Sequence, residues 1–325
     1  FGRSQRRVRM IGKKSYSRLL KKPMAEYLAQ DCSAVPEEYA RLIQLFQHTN
    51  QAFPFEGNRI AVYTEGYTKL QSLLRELQKA KQHIHMEYYI FEDDAIGRLV
   101  RDVLIEKASQ GVEVRVIYDD VGCWHVPNRF FEEMRNAGIE VRSFLKVRFP
   151  LFTSRVNYRN HRKIVVVDGR IGFVGGMNLA ERYMRGFSWG IWRDTHILIE
   201  GKAVHGLQTA FLLDWYFVDR TLITASRYFP KIESCGNSLV QVVTSEPIGP
   251  WKEIMQGLTM AINGAKKYFY MQTPYFLPTE QVLVAMQTAA LAGVDIRLML
   301  PERADNRITH LGSHSYLRDV LQAGV

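Results

Sequence analysis

The stretch at residues 79–91, KAKQHIHMEYYIF, recurs at residues 264–276 as GAKKYFYMQTPYF, and that recurrence decides the fold. Ala80, Lys81, Met86, Glu87 and Phe91 are matched by Ala265, Lys266, Met271, Gln272 and Phe276 at an offset of 185. Farther along, Gly111-Val112-Glu113-Val114 matches Gly293-Val294-Asp295-Ile296 at 182, and Asn136-Ala137-Gly138-Ile139 matches Gln322-Ala323-Gly324-Val325 at 186. Near-constant offsets over so long a stretch mark a duplicated unit, and a period far above that of solenoid repeats makes it a pair of similar domains. In each copy the pattern predicts helix, apolar strand (83–91 or 268–276), helix (97–109 or 279–291) and second strand (112–118 or 294–300). Strands joined by helical crossovers pair in parallel, so the fold class is α/β with layered helices and sheet. Pro274 cannot donate to a ladder and should end its strand early. The second copy stops one residue past the match of Gly138. Whatever the first copy places after Gly138, the second should place after Val325, and Phe1 and Val325 both read as cut ends.

The chain has 325 residues, 46% of them apolar and 23% charged, which excludes a disordered or collagen-like chain and allows two domains. Nine of the ten net positive charges lie in residues 1–23, which contain no acid, leaving a nearly neutral body. A nucleic-acid-coating protein is therefore not expected. Such a basic block is either a solvated tail or the cytoplasmic segment that succeeds a membrane helix, and residues 1–50 are taken as a basic juxtamembrane segment and linker. The domains are expected at 51–245 and, in part, at 246–325. Cys32, Cys123 and Cys235 are odd in number and widely spaced, so neither a disulfide framework nor a zinc site is indicated, and a reducing compartment is the simplest reading.

The chemically suggestive stretch is residues 160–178, NHRKIVVVDGRIGFVGGMN. Residues 164–167 are a β-branched strand, Asp168-Gly169 is a hairpin turn, and residues 171–174 return. A two-residue turn places Val167 opposite Arg170, Lys163 opposite Val174 and His161 opposite Gly176. His161, Lys163, Gly176 and Asn178 then share one face. An imidazole, an ammonium and a carboxamide around the space left by a glycine make a phosphate-sized pocket. Asp168 points the other way by the same parity, so turn formation competes with any part in catalysis.

His161, Lys163 and Asp168 match the H-x-K-x4-D motif, and the stretch resembles the phospholipase D superfamily. Chance would produce this spacing about 0.02 times in a chain of this composition. Glu87-Tyr88-Tyr89-Ile90-Phe91, Gly175-Gly176-Met177-Asn178, Trp192-Arg193-Asp194-Thr195-His196 and Thr273-Pro274-Tyr275-Phe276-Leu277-Pro278 narrow the likeness to bacterial-type cardiolipin synthases. The resemblance implies a phospholipase D-like sandwich of two repeats, the second truncated, with His161, Lys163 and Asp168 catalytic and Asn178 and Gly176 at the substrate phosphate. It implies no metal and no cofactor. The superfamily carries two such motifs, and no second H-x-K exists here.

The implied reaction is phosphatidyl transfer between two phosphatidylglycerol molecules at the cytoplasmic face of the cell membrane. One histidine, taken as His161, attacks phosphorus and becomes a phosphohistidine; the other protonates the leaving alkoxide. General acid/base work is the alternative role for His161, and a homodimer is an alternative source of the second imidazole. Asp194 reads either as the carboxylate that orients an imidazole or as an ordinary strand residue. Hydrolysis, phosphodiester cleavage of nucleic acid, and non-catalytic phosphate or membrane binding are the competing functions. His83 and His85 share a strand face but read as packed histidines rather than metal ligands, and Asp93, Asp94, Asp119 and Asp120 as loop and cap residues. His196 and His205 read as structural, and residues 207–218 as a core helix. Phe149, Leu151, Phe152 and the Phe187-Ser188-Trp189 stretch are candidates for dipping into a lipid interface.

Overall fold

The computed structural model describes residues 36–146, 159–186, 188, 190, 192–246, 249–303 and 305–325, with Lys21 and Ala25. The basic block apart from Lys21, and Cys32, Phe149, Leu151, Phe152, Phe187 and Trp189, lie outside the described residues. The elements run α1 (Glu37–Asn50), β1 (Pro54–Tyr63), α2 (Gly66–Lys79), β2 (His83–Tyr88), α3 (Ala95–Ser109), β3 (Glu113–Asp119), α4 (Asn128–Asn136), β4 (Glu140–Phe144), β5 (Ile164–Val167), β6 (Ile171–Gly175), α5 (Arg182–Arg185), β7 (His196–Glu200), α6 (Val204–Asp219) and β8 (Ser238–Gln241). They continue with α7 (Glu253–Gly264), β9 (Tyr268–Gln272), α8 (Glu280–Leu291), β10 (Asp295–Met299), α9 (Arg307–Ser315) and α10 (Leu317–Gln322). Two compact units result, one holding Ala52–Val242 and the other Val35–Gln51 with Val243–Val325.

In the first unit eight strands form one sheet in the order β4-β3-β2-β5-β6-β7-β1-β8. The β2, β3 and β4 strands run parallel, as the crossover helices dictate, and the β5–β6 hairpin adds antiparallel to β2. The four residues of β5 are all buried because they face a helix layer on both sides. Val165 and Val167 pack with Leu73, Leu77 and Leu104 from α2 and α3, while Ile164 and Val166 pack with Leu207 and Ala210 from α6. This is the α/β sandwich expected from the repeat, and α6 is the core helix expected at residues 207–218.

The hairpin register differs from the two-residue expectation. Val167 pairs with Ile171 and Ile164 with Val174, so Lys163 does not face Val174 and His161 does not face Gly176. Arg170 N–H still closes the turn on the Val167 carbonyl at 3.0 Å, with Asp168 and Gly169 at φ 52° and 65°. The Arg170 carbonyl accepts from Gly201 N–H, continuing the β6–β7 register, while against β5 Arg170 is an extra residue that shifts every later partner by one.

The second unit repeats the first in detail. The β9 and β10 strands pair in parallel with Tyr268 opposite Asp295, as His83 stands opposite Glu113. Both crossover helices end on the same turn: Val112 N–H reaches the Lys107 carbonyl at 3.1 Å, and Val294 N–H reaches the Ala289 carbonyl at 3.0 Å. Gly111 and Gly293 sit there at φ 85° and 90°, a region that only glycine enters without strain. The β9 strand ends at Gln272, before Pro274. Residues 37–50, read as part of a linker, instead form α1, whose Phe46 ring fills the space above Gly257 of α7. On β9, Tyr268 and Tyr270 are exposed at the positions where β2 carries the buried His83 and His85.

Candidate active site at the strand ends of the first unit

Parallel strands β2 and β3 end at the edge where residues 159–163 enter β5, the usual place for a ligand in an open α/β sheet. Tyr89 follows the last residue of β2, and the His161 ring packs on it at 4.5 Å between centroids, tilted by 50°. One side of His161 stays open to solvent. Lys163 is only 2% exposed, and its Nζ donates to the His161 carbonyl at 2.7 Å, lies 3.0 Å from His161 Nδ1 and sits 5.3 Å above the Tyr89 ring. Sequence reasoning assigns Tyr89 no role. Its place just past a parallel strand that borders β5 is the signal that could have found it.

The site's charges are matched to a neutral imidazole beside a cation. Burial first, then the Lys163 charge, pushes His161 down to about 4. Burial pushes Lys163 down to about 8, against the pull of Asp194 and Asp119. Chemistry that needs neutral His161 is therefore present above pH 4 and lost as pH falls through it, while chemistry that needs charged Lys163 is lost as pH rises through about 8. In a protein extended to the length of its relatives, kcat/KM should fall off on both sides at these values. Lys163→Arg should move the alkaline limb upward, because guanidinium does not deprotonate there. A flat profile between pH 7 and 10 would contradict the assignment.

The remaining expected residues divide. Asp168 lies at the opposite end of β5 from His161 and Lys163. Its carboxylate accepts the backbone N–H groups of Lys81, Gln82 and His83 at 2.8, 2.8 and 2.9 Å. Through these bonds it ties the hairpin tip to the start of β2. Gly176 does not leave space for an imidazole, because the Asp194 carboxylate occupies the position a methyl group there would take. Asn178 Oδ1 accepts from Ile90 N–H at 3.0 Å and its Nδ2 donates to the Tyr183 hydroxyl at 2.7 Å, so this carboxamide joins the segment after β2 to the segment after β6. Asp194 precedes β7 rather than lying within a strand, and accepts from Thr195 N–H at 2.6 Å. Among the described residues it makes no hydrogen bond to an imidazole, and burial raises its carboxyl while Thr195 N–H and Lys163 oppose the rise.

The residues read as structural are so placed. His83 and His85 are buried and joined through Gln208, whose Oε1 lies 3.2 Å from His83 Nε2 and whose Nε2 lies 2.8 Å from His85 Nδ1. Burial holds His85 at about 3, so it stays neutral. Asp94 caps α3 through Ile96 and Gly97 N–H, and Asp119 accepts from Val121 and Gly122 N–H. Cys123 is buried, and burial pushes its thiol up to about 12.

A layered α/β sandwich with its imidazole and ammonium at these strand ends is a phospholipase D-type fold. Phosphatidylserine synthase of Haemophilus influenzae Rd KW20 shares it with a TM-score of 0.60 over 87% of this chain and 73% of that one, at 15% identity. The chain belongs to the family described as cardiolipin synthase, PLD-like domain, which matches residues 73–215 and 258–325. It is 43% identical over 272 residues to the cardiolipin synthase of Geobacillus kaustophilus, covering 83% of this chain and 54% of that protein. It is 42% identical over 287 residues to the major cardiolipin synthase ClsA of Bacillus subtilis, covering 87% and 59%. The chain thus spans little more than half the length of these relatives.

Proposed function

We propose that this chain carries the first half of a cardiolipin synthase active site, which moves a phosphatidyl group from one phosphatidylglycerol to a hydroxyl of another. The observation that carries the proposal is the neutral His161 imidazole, packed against the Tyr89 ring with the Lys163 ammonium beside it. The phosphodiester is a stronger acceptor for the ammonium than Nδ1 is. As it arrives, Lys163 turns to an equatorial oxygen, and Nδ1 is freed to hold the ring proton while the Nε2 lone pair attacks phosphorus. The phosphorus–oxygen bond to glycerol breaks and the alkoxide takes a proton from a second imidazole. That imidazole then deprotonates the acceptor hydroxyl, whose oxygen displaces His161. The products are cardiolipin and glycerol, and no bond change requires an oxidant.

The second imidazole comes from sequence the longer relatives have beyond the matched part, or from another copy of this chain. The reaction lies at the cytoplasmic face of the membrane. Trp124, 48% exposed in the loop after β3 at the same strand ends, supports contact with lipid. Among the described residues no helix is long and apolar enough to cross a membrane. The test is product analysis with phosphatidylglycerol vesicles and a protein extended to the relatives' length. Cardiolipin with an equal amount of glycerol is expected. Phosphatidic acid alone would overturn transfer in favour of hydrolysis.

A further inference from the structure

The residues on either side of His161 are fastened to three buried carboxyl groups. Asn160, 7% exposed, donates its backbone N–H to Asp119 Oδ2 at 3.0 Å. Its Nδ2 donates to Glu87 Oε1 and, at 3.3 Å, to Asp214 Oδ2, while its Oδ1 accepts from Arg162 N–H at 3.0 Å. The Arg162 guanidinium caps Asp214 Oδ2. Three elements thus converge on Asn160: β2 and α6 on its carboxamide, and β3 on its backbone N–H.

Two carboxyls beside one guanidinium would leave an uncompensated charge in a buried place, so one of them must hold a proton. Glu87, 1% exposed and with Oε2 unpartnered, is that one: burial and the Asp214 charge raise it well above the carboxylate range. Arg162 then balances Asp214, Arg159 lies 3.6 Å from Asp119, and the cluster is neutral overall and able to persist inside the sandwich. Among the described residues the imidazole itself has only Lys163 and the Tyr89 ring to hold it. Its aim therefore depends on the backbone at residues 160–162.

We propose that Asn160, seated on the Glu87–Asp214 carboxyl pair, is the positioning residue that aims His161 at the phosphorus, a role that rests on His161 being the reaction centre. Without Asn160 the flanking backbone shifts, and a displacement near 1 Å costs on the order of a hundredfold in rate. Phosphatidylglycerol binding draws on other contacts.

The experiment compares Asn160→Ala, Asn160→Ser, Glu87→Ala, Glu87→Gln and His161→Ala in a protein extended to the relatives' length, with ring-nitrogen NMR of His161 in the same proteins. Asn160→Ala should lower kcat about a hundredfold with KM within about twofold, and should shift the His161 titration. Glu87→Gln, which keeps an acceptor for Asn160 and an uncharged group beside Asp214, should recover most of the turnover that Glu87→Ala loses. If Asn160→Ala does not fold, Asn160→Ser decides. A folded Asn160 variant with kcat within about threefold of the parent and an unmoved His161 titration overturns the proposal. Full turnover in His161→Ala would instead sink the reading of the site, so the two failures are distinguishable.

Discussion

His161→Ala, in a protein extended to the relatives' length, should lower kcat by at least about a thousandfold while leaving the melting temperature and vesicle binding close to the parent. The size follows from the role. As the proposed nucleophile His161 has no understudy, since Lys163 is held against the His161 carbonyl and Tyr89 is the wall beneath the ring. Stability is spared because the ring is open on one side and, among the described residues, the only hydrogen bond to it comes from Lys163. Loss of turnover together with a collapse of the melting temperature would place His161 in the fold rather than the chemistry.

Asp168→Ala should show the reverse pattern. Three backbone N–H groups lose their acceptor, and alanine takes over a left-handed φ of 52° that aspartate tolerates better. The combined cost is about 2–4 kcal/mol. For a unit of this size that lowers the transition by roughly 5–15 °C. Turnover measured well below the transition should stay near that of the parent, because Asp168 lies at the far end of β5 from the imidazole. A stable but inactive Asp168→Ala protein would contradict this and put the carboxylate in the catalytic set. The three residues of one short motif thus divide between opposite ends of a strand.

Sequence makes legible whatever a local pattern decides. The repeat predicts parallel pairing of β2 with β3 and of β9 with β10, and the structure shows both, with the same glycine turn after each crossover helix. The pairing of imidazole and ammonium follows from their separation by two residues. The hairpin register does not, because Arg170 is an extra residue between the turn and the first pair, Val167 with Ile171, and no local pattern marks it. Gly176 reads as empty space until Asp194 is brought against it, and α1 reads as linker until Gly257 gives Phe46 a seat. The carboxyl cluster beneath Asn160 draws on positions 87, 119 and 214, whose spacing carries no period.

The proposed covalent step on His161 has a direct test. The protein extended to the relatives' length, mixed with phosphatidylglycerol and quenched in alkali within the first turnover, should yield an acid-labile phosphatidyl adduct on the peptide containing His161, absent from His161→Ala. An adduct confined to other peptides and still formed by His161→Ala would rule out His161 as the nucleophile.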